Sequence, residues 1–141
     1  MYHKVIIVGN LGNDPEMRYT PSGQAVTNFS VATNRTYTNS NGERVKETTW
    51  FRISAWGRQA EICNQYLSRG RQVMVEGRLN ADRETGGPRT YTRNDGTPGA
   101  SYEITAERVV FLGGRGDDQG GFQEGSEGSA SGAPMEDDIP F

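Results

Sequence analysis

The chain has 141 residues, with 15 Lys+Arg against 18 Asp+Glu and a single cysteine, Cys63. The lone cysteine excludes a disulfide framework and a paired-cysteine metal site. No stretch approaches the ~18 consecutive apolar residues of a membrane-spanning helix. The formal charge of −3 hides a division: residues 1–113 carry 14 Lys+Arg and 11 Asp+Glu, whereas 114–141 carry only Arg115 against seven acids. The body is mildly basic and the tail acidic, so the whole-chain charge misleads about partners. No charged segment followed by a signal-type apolar stretch opens the chain, and a cytoplasmic protein is the expectation.

Read in chain order, the body predicts mostly strands. Val5-Ile6-Ile7-Val8 is apolar on both faces and predicts a strand buried on both sides. Asp14-Pro15 and Pro21-Ser22-Gly23 mark a turn-rich stretch. From Ala25 to Asn34 the residues alternate, with Ala25, Thr27, Phe29, Val31 and Thr33 on one face. Asn39-Ser40-Asn41-Gly42 is a strong turn signal, and Val45 to Trp56 forms the next strand. Between Gly57 and Gly70, Ile62, Cys63, Tyr66 and Leu67 make one apolar helical stripe, with Gly70 placed as the C′ residue. Gln72 to Leu79, with Val73, Val75 and Leu79 on one face, and Ser101 to Leu112 complete about five strands. Three strands, a helix and two strands suit a mainly-β fold: a five-stranded Greek-key OB barrel with the helix between strands three and four.

Chemistry gathers on the third strand. Period two puts Trp50, Arg52, Ser54 and Trp56 on one face and Phe51, Ile53 and Ala55 on the other. The second set is a sufficient core face, which leaves two indoles and a guanidinium outside, unless a bulge turns one Trp inward. Outward Trp suits planar partners that stack, and bases are such partners. Of the 14 basic residues of the body only Lys4 and Lys46 are Lys, and Arg can both pair with phosphate and stack on a base. Single strands offer the unstacked bases that a duplex hides. No catalytic constellation accompanies this face. His3 is the lone histidine, Cys63 lies on the helix stripe and no P-loop pattern occurs, so neither an enzyme nor a bound cofactor or metal is expected.

Residues 114–133 form a Gly/Ser-rich acidic linker with too little apolar surface to fold alone, a disordered tether reaching about 25 Å as a random coil. At 134–141 it ends on Glu136-Asp137-Asp138-Ile139-Pro140-Phe141, where acids, a proline-stiffened apolar pair and a carboxylate make a compact ligand for a basic pocket with an apolar floor.

Body and tail together resemble the bacterial single-stranded-DNA-binding proteins over the whole chain. The resemblance is carried by Val8-Gly9-Asn10-Leu11-Gly12-Asn13-Asp14-Pro15, Arg18-Tyr19-Thr20-Pro21-Ser22-Gly23, Trp50-Phe51-Arg52, Trp56-Gly57-Arg58, Tyr66-Leu67, Val75-Glu76-Gly77-Arg78-Leu79 and the acidic Ile-Pro-Phe end. It implies an OB fold at 1–113, a homotetramer, sequence-independent wrapping of single-stranded DNA in the nucleoid, and docking of replication, recombination and repair proteins on the tip. It implies stacking positions at Trp50, at Trp56 where Phe is common, and at Tyr37 where Trp is frequent. Basic positions fall at Arg52, Arg58 and Arg69, and Tyr91 is the shifted equivalent of a fourth aromatic. The tip departs at Glu136, where Asp is usual, and keeps the charge. The doubly apolar first strand fits either an oligomer seam or burial within the monomer's own barrel. Two other readings remain open on the residues: an RNA-binding OB protein or RNA chaperone, and a hub whose main activity is protein binding.

Overall fold

A computed structural model of the chain describes residues 1–113. The linker and tip expected at 114–141 lie outside the described residues. Seven strands and one helix follow in the order β1 (Val5–Leu11), β2 (Glu16–Tyr19), β3 (Ala25–Thr38), β4 (Arg44–Trp56), α1 (Arg58–Tyr66), β5 (Gln72–Leu79), β6 (Arg89–Thr92) and β7 (Pro98–Leu112). Hydrogen bonding runs β1-β5-β7-β4-β3 and returns from β3 to β1. That closes a five-stranded barrel, with β4 and β7 as its parallel pair. This is the expected OB arrangement, one helix between the third and fourth barrel strands.

The two further strands fall where loops were expected. β2 occupies the turn-rich stretch and adds to the edge of β3 from Glu16↔Asn28 to Tyr19↔Ala25. β6 sits inside the 80–99 segment and pairs with a β7 that begins three residues before the expected Ser101, from Arg89↔Ser101 to Thr92↔Pro98. Neither carries an apolar alternation, because each pairs at an edge with most side chains in solvent. Their pairing is a backbone property that period-two reading does not register.

The β3–β4 hairpin is the longest ladder, running from Val26↔Trp56 to Thr38↔Arg44. Its turn is held by Asn39, whose Oδ1 accepts the N–H groups of Asn41 and Glu43 at 3.0 and 2.9 Å. Asn side chains favour this local pairing. Of the expected inward face of β3, Ala25, Thr27, Phe29 and Val31 are buried, Phe29 and Val31 joining Ile53 and Ala55 of β4 in the core, while Thr33 is only half-buried and Val26, on the other face, is buried as well.

Four details differ from expectation. β1 buries Ile7 and Leu11 but leaves Ile6 57% exposed and Val8 49% exposed, so within the monomer it is buried on one side only. It pairs with β5 throughout but touches β3 only at Asn10↔Ala32 and Leu11↔Val31, leaving the Val5–Gly9 edge unpaired among the described residues. The helix buries Ala60 and Cys63, with Leu67 buried just beyond its end, rather than the full stripe, while Ile62 and Tyr66 are exposed. It ends at Tyr66 with Leu67 extended, not at Gly70, because Leu67 drops into the core and draws the chain out of the helix. Gly70 takes φ 88° three residues later and donates its N–H to the Leu11 carbonyl at 2.8 Å. On β5, Val73 and Val75 are buried as expected, but Leu79, at the strand's end beyond an irregularity at Glu76/Gly77, is exposed.

Closure depends on close backbone approach. A Cβ on Gly9 would strike the Ala32 carbonyl of β3, and one on Gly77 the Thr105 carbonyl of β7. The helix plugs the barrel through Cys63 and Leu67, and Thr27 Oγ1 donates to the Ala60 carbonyl at 2.6 Å. That bond satisfies the hydroxyl of Thr27, which is fully buried.

Candidate nucleic-acid interface

Period two in β4 puts Phe51, Ile53 and Ala55 toward the barrel, Ile53 and Ala55 being fully buried. Trp50, 54% exposed, and Trp56, 41% exposed, face outward with Arg52 and the half-buried Ser54. No bulge interrupts the β3–β4 ladder between them. The two indoles share one face about 20 Å apart along the strand, at ~3.3 Å per residue.

Trp50 does not swing freely. The far edge of its indole lies against the Cα of Gly12, where any Cβ would collide with the ring. Gly12 is fixed because its N–H donates to the Ser30 carbonyl at 2.9 Å. Next in the chain, Asn13 Oδ1 accepts the Ser30 N–H at 2.9 Å, and Asp14 Oδ1 accepts the Arg69 N–H at 2.8 Å. The Gly12-Asn13-Asp14 segment therefore ties the β1–β2 connection to the sheet beneath Trp50.

Trp50, Arg52 and Tyr91 line one open groove with Tyr102, Ser101 and Thr48. Tyr91 is on β6, and its register opposite Gly99 brings its ring centroid to 5.8 Å from the Arg52 guanidinium carbon and 5.9 Å from that of Arg93. An adjoining groove holds Arg52 again with Arg18, Arg89, Asn28, Ser54 and the carboxylates of Glu16 and Glu103. There Ser54 and Asn28 are hydrogen-bonded at 2.8 Å, and Arg89 is paired with Glu103 at 3.5 Å. Register aligns Arg18, Val26 and Trp56 in one row across the sheet.

The structure thus gathers Trp50, Arg52 and Tyr91, with Trp56 on the same face. The remaining candidates lie apart. Arg58 opens α1 and lines a separate groove with Tyr19, Glu61 and Ile62. Arg69 stands in the turn between α1 and β5. Tyr37 pairs with Val45 near the hairpin tip, an odd number of residues from Trp50, and so occupies the opposite face of the ribbon. Its ring lies 4.9 Å from the Arg35 guanidinium carbon, and the neighbouring Glu47 carboxylate raises its phenol above the ordinary value. Arg18, Arg89 and Tyr102 were missed by sequence reasoning. Arg18 and Arg89 sit in segments read as loops. Tyr102, 54% exposed and packed on Phe51 at 5.8 Å between ring centroids, has the parity of the core residue Ile104 and stands clear only because it is at the barrel rim.

Among the described residues no cluster of His, Cys, Asp and Glu could hold a metal ion, and no helix is long and apolar enough to cross a membrane. The sequence model of the Single-strand binding protein family matches residues 2–112. The single-stranded DNA-binding protein of Neisseria meningitidis serogroup A is 44% identical over 125 residues, spanning 87% of this chain and 68% of that protein. Its counterpart from Wolinella succinogenes is 38% identical over 123 residues, spanning 87% and 72%. Among solved structures, the Plasmodium falciparum SSB complex with ssDNA superposes with a TM-score of 0.64 at 28% identity, covering 80% of this chain and 97% of that one. A deletion mutant of the single-stranded DNA binding protein from Thermus aquaticus gives 0.62 at 29% identity, covering 79% of this chain and 51% of that one. The chain belongs to the single-strand binding protein family.

Proposed function

We propose that this protein coats single-stranded DNA without sequence preference. Bases stack on Trp50, Trp56, Tyr91 and Tyr102, with Tyr37 as an outlying platform, and Arg52, Arg58 and Arg69 meet phosphates along the strand's path. The observation that carries this reading is the outward placement of both indoles on β4 with Arg52 between them. Every base has a stackable face, so such platforms tolerate any sequence. The names and structures of the relatives support DNA as the ligand. We further propose that the tip, Glu136-Asp137-Asp138-Ile139-Pro140-Phe141, recruits replication, recombination and repair proteins, and that the working unit is a homotetramer of a non-enzymatic, nucleoid-associated protein. The unpaired Val5–Gly9 edge and the exposed Ile6 and Val8 support assembly, because an apolar free edge invites a second strand.

Titration with oligo(dT) tests the binding reading: intrinsic Trp fluorescence should be quenched as bases cover the indoles. Absence of quenching would favour a protein-binding hub, and preference for oligo(U) in competition would favour RNA. Removing residues 134–141 tests the division of labour. Oligo(dT) affinity should be kept or slightly raised at low salt, since an acidic segment is lost, while partner capture disappears. A strong loss of DNA binding would contradict it.

A further inference from the structure

Tyr91 rests on a glycine that neither the backbone nor the core requires. Gly99 is buried in β7 directly opposite Tyr91. Its φ lies outside the left-handed region, so no positive φ demands glycine there. A Cβ placed there would meet Tyr91 Cζ at 2.7 Å, Cε2 at 2.9 Å and Oη at 3.0 Å, and these three are the nearest atoms. Carbon atoms in contact stay about 3.5–4.0 Å apart, so the ring would have to lift. What glycine permits at 99 is therefore the pose of one side chain: a ring leaning across β7 with its hydroxyl end on the Gly99 Cα.

That pose places the ring in the groove. With Gly99 against it, Tyr91 is 45% exposed and lines the same groove as Trp50 and Arg52. The hairpin beneath it is braced. Arg93 Nη1 donates to the Pro98 carbonyl at 2.8 Å, and the turn closes through Arg93 N–H to the Thr97 carbonyl at 2.8 Å. An added methyl would therefore move the ring rather than the strand.

We infer that Gly99 is a positioning residue for single-strand binding, seating Tyr91 against β7 as a preset stacking platform beside Arg52. This rests on the proposed binding function. The alternative is that Tyr91 merely covers Gly99 and stabilises the strand pair.

The test is the affinity of full-length wild type, Tyr91→Ala, Gly99→Ala and the double variant for oligo(dT) across a salt series, with thermal melts. Loss of one stacked base corresponds to a roughly 5- to 150-fold weaker complex, and Tyr91→Ala should fall in that range. Gly99→Ala should approach the same loss, with its melt and the slope of log K against log salt unchanged, because phosphate contacts persist. The double variant, which removes the clash and does not depend on the folding of Gly99→Ala alone, should match Tyr91→Ala within about twofold. Wild-type affinity in Gly99→Ala, or a double variant that loses the product of the two single effects, would overturn the inference while leaving the binding function standing. Failure of the wild type itself to bind oligo(dT) would overturn both.

Discussion

Cys63 shows how one position separates packing from chemistry. It is fully buried on the inner side of α1, and burial pushes its thiol up to about 11. At neutral pH it is therefore a small apolar side chain rather than a nucleophile. A thiol reagent such as Ellman's reagent should leave it unmodified in the native protein and label it on unfolding; rapid native labelling would mean that the helix does not plug the barrel. The indoles are the converse case, large apolar groups kept outside by strand parity. Trp50, Arg52 and Trp56 were legible in the sequence because alternation in β4 is unbroken and Phe51, Ile53 and Ala55 supply an adequate core without them. The positions of Arg18 and Arg89 were not legible, since nothing in a polar four-residue edge segment distinguishes a strand from a loop. The seats of the aromatic rings, Gly12 and Gly99, were equally hidden. A glycine chosen for the space that a distant ring occupies looks like any other.

At the scale of elements, the β6–β7 hairpin of the proposed interface carries a β6 whose residues are all exposed. Beside the backbone bonds that close it, its turn is braced by Asp95, whose carboxylate accepts the Thr97 hydroxyl at 2.6 Å and the Thr97 N–H at 3.0 Å. These bonds, the hydroxyl's first, hold Asp95 below the ordinary 3.8. A carboxyl lowered in the folded state stabilises it above its ordinary pKa, and that contribution is lost as pH falls through the lowered value. The turn should therefore stay ordered at pH 6 and loosen below about pH 4. Faster exchange of the Thr97 amide at pH 3, after correction for intrinsic rates, would register this; unchanged protection would show that the turn is held by other bonds. The helix teaches a related lesson. Its existence was legible from apolar spacing, but its buried face turned toward Ala60 and its end moved to Tyr66. Leu67 is drawn into the core by tertiary packing, which local periodicity does not encode.

For the whole molecule, the doubly apolar β1 is the element that supports the proposed assembly. Sequence reading left open whether its outer residues are buried in the monomer. The described residues leave Ile6 and Val8 exposed beside an unpaired edge, which moves the apolar surface from core to proposed seam. Val8→Arg should then lower the light-scattering mass from an oligomer toward a monomer with the barrel intact. An unchanged mass would place the seam elsewhere. Assembly would multiply the binding face, and the proposed coating of a long strand depends on that face more than on any partner surface. The most direct test is therefore the oligo(dT) affinity of Trp50→Ala and Trp56→Ala against wild type at one fixed salt concentration. If the outer face of β4 is the stacking platform, each variant should lose roughly 1–3 kcal/mol of binding free energy with its melting transition unchanged. Affinities of both variants within about twofold of wild type would mean that the strand runs elsewhere on the protein.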